Sequence, residues 1–305
     1  MGNLQYHLEK DEGDVLRDKM KILMFSPNYY PYIGGAEVFA KEIAERLVKD
    51  GNEVDIITGA LDEKQKKAET INGVNIYRVR IYKGKYNVRY LTSISYIFSS
   101  LLKALKLHRK RRYNIIHAHT EVGGIAGAIF KKLIRRPLLV TVQGGAPSDM
   151  VLKNKIVRNV VRWCFTNSNT VHAISRYLVE RSKRLGAKKI ILIPDGVDDT
   201  KFHPIKNKEG MKEKYGFPKD KKIILTICPG HFRGGNPSSY ETGYPNLIKA
   251  FAELAKELQD LHLIFIGEGH KRGEFKDIAS KLKIEDKITF LGFIPHEEIP
   301  NYIGM

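Results

Sequence analysis

The stretch KILMFSP (Lys21–Pro27), followed by YIGGAE (Tyr32–Glu37), decides the fold of this chain. Its first part is a short apolar run of strand length, and its second part is a loop containing tyrosine and glycine. After the loop, the apolar residues Phe39, Ile43 and Leu47 recur every four positions, which is the spacing of one helix face. The stretch therefore predicts a strand, a glycine turn and a helix, the first half of a βαβ unit.

Gly34 and Gly35 lie where this turn meets the predicted helix. Neither residue has a Cβ, so both permit a ligand to approach the backbone closely. The free N–H groups and the dipole of a helix N-terminus favour an anion, and a phosphate is the expected ligand. The alternative is that the two glycines only form a tight turn. The loop is neither G-x-G-x-x-G nor G-x-x-x-x-G-K-[ST], which disfavours a nicotinamide cofactor and a P-loop kinase or ATPase.

Short apolar runs and amphipathic segments continue to alternate along the chain. This pattern predicts an α/β fold with two Rossmann-like, doubly wound domains built on parallel sheets. The alternation breaks at residues 195–204, so we expect an N-terminal extension (1–19), a first domain (20–200) and a second domain (201–305). The second domain has only three strand-like runs, fewer than such domains usually have, and is therefore expected to be incomplete.

Composition limits the classes of function. The chain has 305 residues, of which 42% are hydrophobic and 28% are charged, and its formal net charge is +18. No apolar run reaches the roughly 18 residues of a membrane span, and residues 1–18 lack the apolar core of a signal peptide. The cysteines, Cys164 and Cys228, do not have metal-like spacing, which favours a reducing, cytoplasmic location.

The excess of positive charge has several interpretations. It fits phosphate-bearing ligands, an anionic membrane or nucleic acid, and it also fits the solvated surface of a thermophilic protein. No basic motif with interleaved aromatic residues accompanies the charge, so no nucleic-acid partner is expected.

The segments Phe25–Pro27 and Pro31–Glu37 resemble the opening of the glycogen-synthase-like glycosyltransferases, family four of that enzyme class. That family has the GT-B architecture of two Rossmann-like domains, and its double-glycine loop lies beside the sugar donor and acceptor. The resemblance implies that this chain has a donor and acceptor loop formed by Gly34, Gly35 and Glu37.

Residues Ile193–Pro204 are similar to the hinge signature of the same family, with Asp195 at a position that is usually asparagine. The residue types alone predict a turn in which Asp195 is a cap and Gly196 relaxes the backbone. We expect this segment to be structural.

His117-Ala118-His119 ends a predicted strand, where doubly wound folds present ligand-binding groups. Strand alternation places both histidines on one face. A metal pair would need a third ligand, and none is suggested nearby. A histidine that only forms a hydrogen bond at the strand end is a further alternative. The family resemblance implies that His119 faces the cleft as a catalytic residue and contacts the transferred sugar or the acceptor.

Gln143 and Gly144 follow the next predicted strand. The family commonly has a histidine before this glycine. Glutamine can form hydrogen bonds but cannot titrate, so the substitution disfavours acid–base chemistry here. A donor or acceptor contact from the Gln143 side chain or the Gly144 backbone is expected instead.

The second domain is expected to hold the donor. The family binds the donor diphosphate with an arginine and a lysine; Arg233 is the displaced match for the arginine, and Thr242 stands in the position of the lysine. A surface insertion is the alternative interpretation of this loop. The resemblance also implies nucleotide contacts, which would come from Gly267, Glu268, Gly269, Phe293 and Ile294. The later pair of glutamates that binds the ribose and donor sugar in the family does not occur within these 305 residues.

Together these features predict a retaining glycosyltransferase that moves a sugar from a nucleotide-diphosphate sugar to a glycan, lipid-linked or small-molecule acceptor. The nucleotide sugar is a co-substrate, and neither a metal nor another cofactor is expected. Two alternatives remain open. One is a catalytically inactive module that binds a nucleotide sugar or a partner, and the other is a nucleotide-sugar epimerase of the same architecture.

The basic amphipathic stretches Leu101–Arg112 and Lys153–Arg162 predict peripheral contact with an anionic membrane, at the inner face for a cytoplasmic chain. The alternative is a pair of core-facing helices with solvated outer faces. An incomplete second sheet would expose an apolar edge, which predicts an oligomer or a completing partner chain.

Overall fold

The computed structural model describes residues 19–32, 34–62, 64–83, 89–143, 153–227, 239–267 and 272–305. Within these ranges the chain alternates between strands and helices. The strands are β1 (Lys21–Phe25), β2 (Glu53–Gly59), β3 (Ala68–Ile71), β4 (Val74–Val79), β5 (Ile115–His119), β6 (Leu138–Val142), β7 (Thr170–Ala173), β8 (Ile190–Leu192), β9 (Lys222–Ile227), β10 (Leu261–Ile266) and β11 (Ile288–Gly292).

The helices follow the strands closely in sequence. They are α1 (Gly35–Lys49), α2 (Arg89–Arg111), α3 (Thr120–Ile134), α4 (Lys155–Asn167), α5 (Arg176–Arg184), α6 (Lys208–Lys214), α7 (Ser239–Glu257), α8 (Arg272–Lys281) and α9 (Ile299–Gly304), with a short 3₁₀ turn at Glu285–Lys287. None of the helices in the described part of the chain has the length and apolar character needed to cross a bilayer.

The strands form two sheets. The first sheet has the order β3-β4-β2-β1-β5-β6-β7-β8, and the second has the order β11-β10-β9. Every pairing is parallel except that of β3 with β4, which is an antiparallel hairpin closed by Asn72 and Gly73 at positive φ. The predicted α/β class with two Rossmann-like, parallel-sheet units is therefore confirmed, with the β3–β4 hairpin as an addition at one edge.

Helices cover both faces of the first sheet, as a doubly wound fold requires. In β1, Leu23 and Phe25 point into the core shared with α2, α3 and α4, whereas Ile22 and Met24 point into the core shared with α1. This alternation explains why central strands of a parallel sheet are continuously apolar: both sides of the strand are buried.

The second sheet repeats this arrangement in β10, all six residues of which are buried. Leu263 and Phe265 pack against α7 and α8 on one face, and Ile264 and Ile266 pack against Phe217 and α9 on the other. The hydrophobic pattern of β10 is therefore sufficient to place helices on both faces of the sheet.

The segment between the sheets differs from the sequence prediction in two respects. Asp198, rather than Asp195, supplies the local cap: its carboxylate accepts hydrogen bonds from the Thr200 backbone N–H at 3.2 Å and the Thr200 hydroxyl at 2.6 Å. Gly196 lies outside the left-handed φ region, so this turn does not require a glycine there. The charged stretch after it also contains a helix, α6, whose N-terminus is capped by the Asn207 side chain.

Candidate functional site

Three of the predicted groups meet at one edge of the first sheet. The strands β1, β5 and β6 are adjacent and parallel, so their carboxyl ends lie side by side. The Gly34-Gly35 loop follows β1, His119 ends β5 and Gln143 follows β6. The sheet topology therefore brings together residues that are more than a hundred positions apart in the sequence, at the edge where doubly wound folds bind ligands.

The glycine loop leads directly into α1. Gly34 is the N-cap residue with extended backbone (φ −146°), and no side chain caps the helix from this position. A Cβ on Gly34 would collide with the Glu37 carboxylate, whereas a Cβ on Gly35 would have no neighbour within 4 Å. The two glycines therefore differ: Gly34 makes room for Glu37, and the space beside Gly35 is open at a helix N-terminus.

The Glu37 carboxylate shares this helix end. Burial raises the pKa of Glu37, while hydrogen bonds from its own backbone N–H and from the Asn28 side chain act in the opposite direction. An acidic residue in the first turn is favourable for the helix dipole. It also means that an anionic ligand and Glu37 would occupy the same positive region.

An arginine that the sequence analysis did not single out fixes the start of the loop. The buried Arg78 of β4 donates from Nη2 to the Tyr30 carbonyl oxygen at 3.0 Å and from Nη1 to the Lys66 carbonyl oxygen at 3.0 Å. Its guanidinium group also forms an ion pair with Glu69 of β3. The β3–β4 hairpin therefore anchors the loop that carries Gly34 and Gly35.

A chain of hydrogen bonds runs beneath the carboxyl edge. His117 Nε2 lies 2.8 Å from Thr141 Oγ1, which lies 3.2 Å from His172 Nδ1. His172 Nε2 lies 2.8 Å from the Ile193 carbonyl oxygen and must donate to it. With Nε2 donating, His172 Nδ1 accepts from the Thr141 hydroxyl, which leaves the Thr141 oxygen to accept from His117 Nε2–H. The Ile193 carbonyl oxygen thus determines which atom donates in each hydrogen bond of this series.

His119 lies beside this series of hydrogen bonds but forms none of them. Its ring is almost completely buried, with its centroid 4.3 Å from that of His117 and 6.1 Å from that of Phe39. Neither ring nitrogen has a hydrogen-bond partner among the described residues. A buried imidazole without partners is unfavourable in the free protein and is suited to a ligand that supplies the missing hydrogen bonds.

Burial also determines the protonation of the two histidines. It lowers the pKa of His117 to about 3, and the His172 ring adds to this effect. For His119, burial is again the main cause, followed by the rings of His117 and His172, and the pKa lies well below its usual range. His119 is therefore neutral near pH 7 and can both donate and accept a hydrogen bond.

Backbone geometry at the end of β5 supports a functional role for this position. Thr120, the first residue of α3, has φ of 63°, a left-handed conformation that β-branched residues rarely adopt. The helix that follows packs very closely against β1, because a Cβ on Gly123 would lie 2.7 Å from the Phe25 carbonyl oxygen. Strain of this kind concentrates at ligand-binding sites.

Gln143 provides a second unpartnered polar side chain at the same edge. Neither its amide oxygen nor its amide nitrogen has a hydrogen-bond partner among the described residues, and both atoms are buried. Together with His119, it offers donors and acceptors suited to a polyhydroxylated ligand. Gly144, its predicted neighbour in the site, lies outside the described residues.

The second sheet brings together part of the predicted nucleotide site. Gly267 follows β10 with φ of 125°, a conformation that favours glycine, and donates its N–H to the Gly292 carbonyl oxygen at 2.6 Å. Phe293 comes next and exposes more than half of its surface. Ile294 instead packs its partly buried side chain against the second-sheet core. Glu268, Gly269 and Arg233 lie outside the described residues.

Three of the contributing residues carried no clear functional signal in the sequence. His172 and Thr141 act through contacts between different strands, and Phe39 joins the site from α1, with its ring centroid 6.0 Å from that of His172. The one available signal was a polar residue inside a buried strand, and it applied to both His172 and Thr141. No group of three or more histidine, cysteine or acidic side chains suited to a metal occurs in the described ranges.

Comparison with known proteins identifies the family. The family model described as Glycosyltransferase Family 4 matches residues 33–201, and the model described as Glycosyl transferases group 1 matches residues 207–305. An uncharacterized glycosyltransferase of Methanocaldococcus jannaschii is 28% identical over 90% of this chain and 70% of its own length.

Two further relatives have more specific names. The N-acetyl-alpha-D-glucosaminyl L-malate synthase of Bacillus anthracis is 24% identical, with 86% of this chain and 66% of the relative covered. The alpha-monoglucosyldiacylglycerol synthase of Streptococcus pneumoniae is also 24% identical, with 93% of this chain and 64% of the relative covered. The chain thus spans about two thirds of the length of these relatives.

Solved structures show the same fold. Sucrose-phosphate synthase from Thermosynechococcus elongatus superposes with a TM-score of 0.76 at 18% identity, covering 94% of this chain and 73% of that one. The Anabaena HepE protein in complex with UDP-glucose superposes with a TM-score of 0.67 at 18% identity, covering 93% and 71%. Since one family model matches more than half of the sequence, this chain belongs to glycosyltransferase family 4, a family of glycosyltransferase enzymes.

Proposed function

We propose that this chain carries out retaining, metal-independent transfer of a sugar from a nucleotide-diphosphate sugar to a glycan, lipid-linked or small-molecule acceptor. The observation that carries the proposal is the pair of unpartnered polar side chains, His119 and Gln143, at the sheet edge that also presents the N-terminus of α1. A sugar can satisfy both side chains with its hydroxyl groups, and a diphosphate can use the helix end.

Each residue has a specific part in this proposal. His119, held neutral by burial, orients a hydroxyl group of the transferred sugar or acceptor. The backbone at Gly34 and Gly35 approaches the ligand, and Arg233 offsets charge on the leaving diphosphate. On the second sheet, the Gly267 turn and Phe293 contact the nucleotide. In a retaining enzyme, the acceptor attacks the anomeric carbon of the donor sugar on the face from which the diphosphate departs.

The relatives support a nucleotide-sugar donor but leave the acceptor class broad. HepE was solved with UDP-glucose. The Bacillus anthracis relative is named for a malate glycoside, which is small and polar. The Streptococcus pneumoniae relative is named for a diacylglycerol glycoside, which is a lipid. The donor proposal therefore rests on both the site and the relatives, and the acceptor must be found by experiment.

The test is a titration of the intact chain with UDP-, ADP- and GDP-linked sugars, followed by transfer assays with the donor that binds. Proton NMR of the product should show the anomeric configuration of the donor, and activity should persist in excess EDTA. The matched variants are His119→Ala and His117→Ala, because both remove an imidazole from the same strand.

Other outcomes would replace this proposal. Donor binding without transfer to any acceptor or to water would indicate a binding module. Release of an altered free sugar without an acceptor would indicate an epimerase. An inverted anomer or loss of activity in EDTA would contradict the retaining, metal-independent mechanism.

A further inference from the structure

The outer face of α2 is apolar over three turns. Tyr90, Ile94, Phe98 and Leu102 recur every four residues, and we call this row the apolar ridge. Ile94, Phe98 and Leu102 are 60%, 64% and 55% exposed. The opposite side of the helix carries the buried residues Tyr96, Ser100 and Ala104, so the core of the first sheet is already filled without the ridge.

The ridge becomes cationic towards the end of the helix. Lys106 and Lys110 continue the same four-residue spacing and are exposed, as is Arg109 beside them. The first turn of α2 contains no acidic residue, and none occurs elsewhere in its sequence. One continuous helix face therefore presents large apolar side chains and then lysines. The apolar side chains can insert at the headgroup boundary of a bilayer, and the lysines attract anionic lipid.

A neighbouring helix adds to this surface. α3 packs against both α2 and α4, so the three helices form one layer on the first sheet. On α4, Ile156 is 75% exposed and Val160 is exposed one turn later. Arg158 and Arg162 lie between and after them and are also exposed. The outer face of α4 thus combines exposed apolar and exposed basic side chains, as the outer face of α2 does.

The charge of the layer is strongly one-sided. The sequences of α2, α3 and α4 contain six, two and three lysines or arginines respectively, and one acidic residue, Glu121. Glu121 is engaged by Arg181 of α5 at 2.8 Å, so it does not reduce the outward positive potential by itself. Anionic lipid headgroups are complementary to such a face.

The orientation of the layer relates it to the candidate site. Helices that follow parallel strands begin at the carboxyl edge of the sheet, because each helix runs back across the sheet. The apolar ridge occupies the N-terminal half of α2, and Ile156 and Val160 occupy the N-terminal half of α4. The apolar parts of the surface therefore lie towards the edge that holds His119 and Gln143.

We infer that the apolar ridge of α2, with Ile156 and Val160 of α4, docks this protein on an anionic lipid bilayer and holds the carboxyl edge of the first sheet next to that bilayer. A second copy of the chain is a poorer occupant, since it would bring the same cationic helix face against itself. A nucleic acid would pair its phosphates with the lysines and stack a base on Phe98, but it would leave the exposed aliphatic side chains of Ile94 and Leu102 without a role.

The inference is independent of the proposed reaction, because binding can be measured without donor or acceptor. The intact chain is mixed with vesicles of phosphatidylcholine alone or with added phosphatidylglycerol, and the bound fraction is determined by flotation. We expect binding to the anionic vesicles, weakening with added salt, and little binding to phosphatidylcholine alone.

Two sets of variants locate the surface. The triple variant Ile94→Ser, Phe98→Ser, Leu102→Ser should reduce the anionic-vesicle affinity by at least about tenfold. Its control, Leu254→Ser with Leu258→Ser, changes exposed apolar residues of the same spacing, one in the last turn of α7 and one just after it, and should bind as the parent does. Lys106→Gln with Lys110→Gln should weaken binding about tenfold or more, unlike the matched pair Lys276→Gln with Lys281→Gln on α8.

Circular dichroism and thermal unfolding establish that each variant is folded, which is expected because all of the changed side chains are exposed. The inference is overturned if the parent does not bind anionic vesicles, or if the ridge and control variants bind equally. It is also overturned if the lipid-free parent is a dimer that the ridge variant dissociates, because the ridge would then be an interface between copies.

Discussion

His117 and His119 lie side by side at the end of β5, with ring centroids 4.3 Å apart, yet they have different hydrogen-bonding environments. His117 donates into the chain that passes through Thr141 and His172, whereas both ring nitrogens of His119 lack partners among the described residues. One histidine therefore stabilises the sheet edge, and its neighbour is available to a ligand. Substitutions at these two positions should separate stability from activity.

We expect His119→Ala to lower the transfer rate by about a hundredfold while destabilising the protein less than His117→Ala does. Removing the His119 imidazole leaves a cavity, but it breaks no hydrogen bond, and the lost packing is partly offset by removal of a buried polar group. His117→Ala should instead destabilise the protein by about 1–3 kcal/mol, since it removes a buried hydrogen-bonded group. Urea unfolding and transfer assays on both variants provide the comparison, and equal effects of the two substitutions would contradict it.

The low pKa values of His117 and His119 predict that stability falls as the solution becomes acidic. In the unfolded chain these rings take up protons near pH 6.5, but in the folded protein burial keeps them neutral, down to about pH 3 for His117. The unfolded state therefore binds more protons between these values, so the free energy of unfolding decreases as pH falls below about 6.5.

His119→Phe isolates one of these contributions. Phenylalanine fills the buried space without titrating, so the variant should lose less stability on acidification. Between pH 8 and pH 5.5 the parent should lose about 1.4 kcal/mol more than the variant. Urea unfolding across this range measures the difference, and parallel pH profiles would show that His119 is not held neutral by the fold.

Much of the architecture follows from the sequence because parallel strands buried on both faces must be apolar. β1 and β10 are clear cases, and the helices between strands show the four-residue spacing that places α1 and α7. β3 was not predicted, because its sequence, Ala68–Ile71, is short and partly exposed and is defined only by pairing with β4. The structure of such a segment depends on its neighbour rather than on its own hydrophobic pattern.

The candidate site was predictable only in part, for a related reason. His119 and the glycine loop could be located because they follow predicted strands, where this fold class binds ligands. The hydrogen bond between Thr141 and His172 joins two strands, and nothing local in either segment indicates it. The apolar ridge of α2 could not be predicted either. The sequence indicates an amphipathic helix, but only the packing shows that Ile97 and Leu101 face the core and that Phe98 faces outward.

Gly35→Ala tests whether a ligand approaches the backbone at the start of α1. Apart from the neighbouring residues and backbone of α1 itself, no described atom lies within 4 Å of the added methyl group, and alanine is a better helix residue than glycine, so stability should rise by up to about 1 kcal/mol. We expect transfer to decrease about tenfold or more, because the methyl group occupies the space proposed for the ligand. Higher stability with unchanged activity would place the ligand elsewhere.

Gly34→Ala provides the paired measurement. Its methyl group would push the Glu37 side chain out of its present position, and Glu37 is flexible enough to move without unfolding the helix. Activity should therefore fall through displacement of Glu37, with little gain in stability. If Glu37→Ala alone lowers activity as much as Gly34→Ala does, and the double variant loses no more, the role of Gly34 is to accommodate Glu37. If the losses from the two substitutions add, the ligand itself contacts Gly34.

Arg78 should control the order of the glycine loop from a distance. Arg78→Ala removes the donors to the Tyr30 and Lys66 carbonyl oxygens and leaves Glu69 without its ion-pair partner. Breaking a buried, hydrogen-bonded charge pair of this kind typically destabilises a protein by about 3 kcal/mol. The loop between β1 and α1 should also exchange its amide hydrogens faster under native conditions, because its attachment to β4 is lost.

Arg80→Ala is the matched control for this prediction. Arg80 lies two residues from Arg78, but it is exposed, so its removal should change the free energy of unfolding by less than about 0.5 kcal/mol. Hydrogen exchange of peptides covering residues 26–36 should be unchanged in Arg80→Ala and faster in Arg78→Ala, at denaturant concentrations where both remain folded. Equal exchange in the two variants would mean that the loop is held by its own contacts, and that Arg78 stabilises only the β3–β4 hairpin.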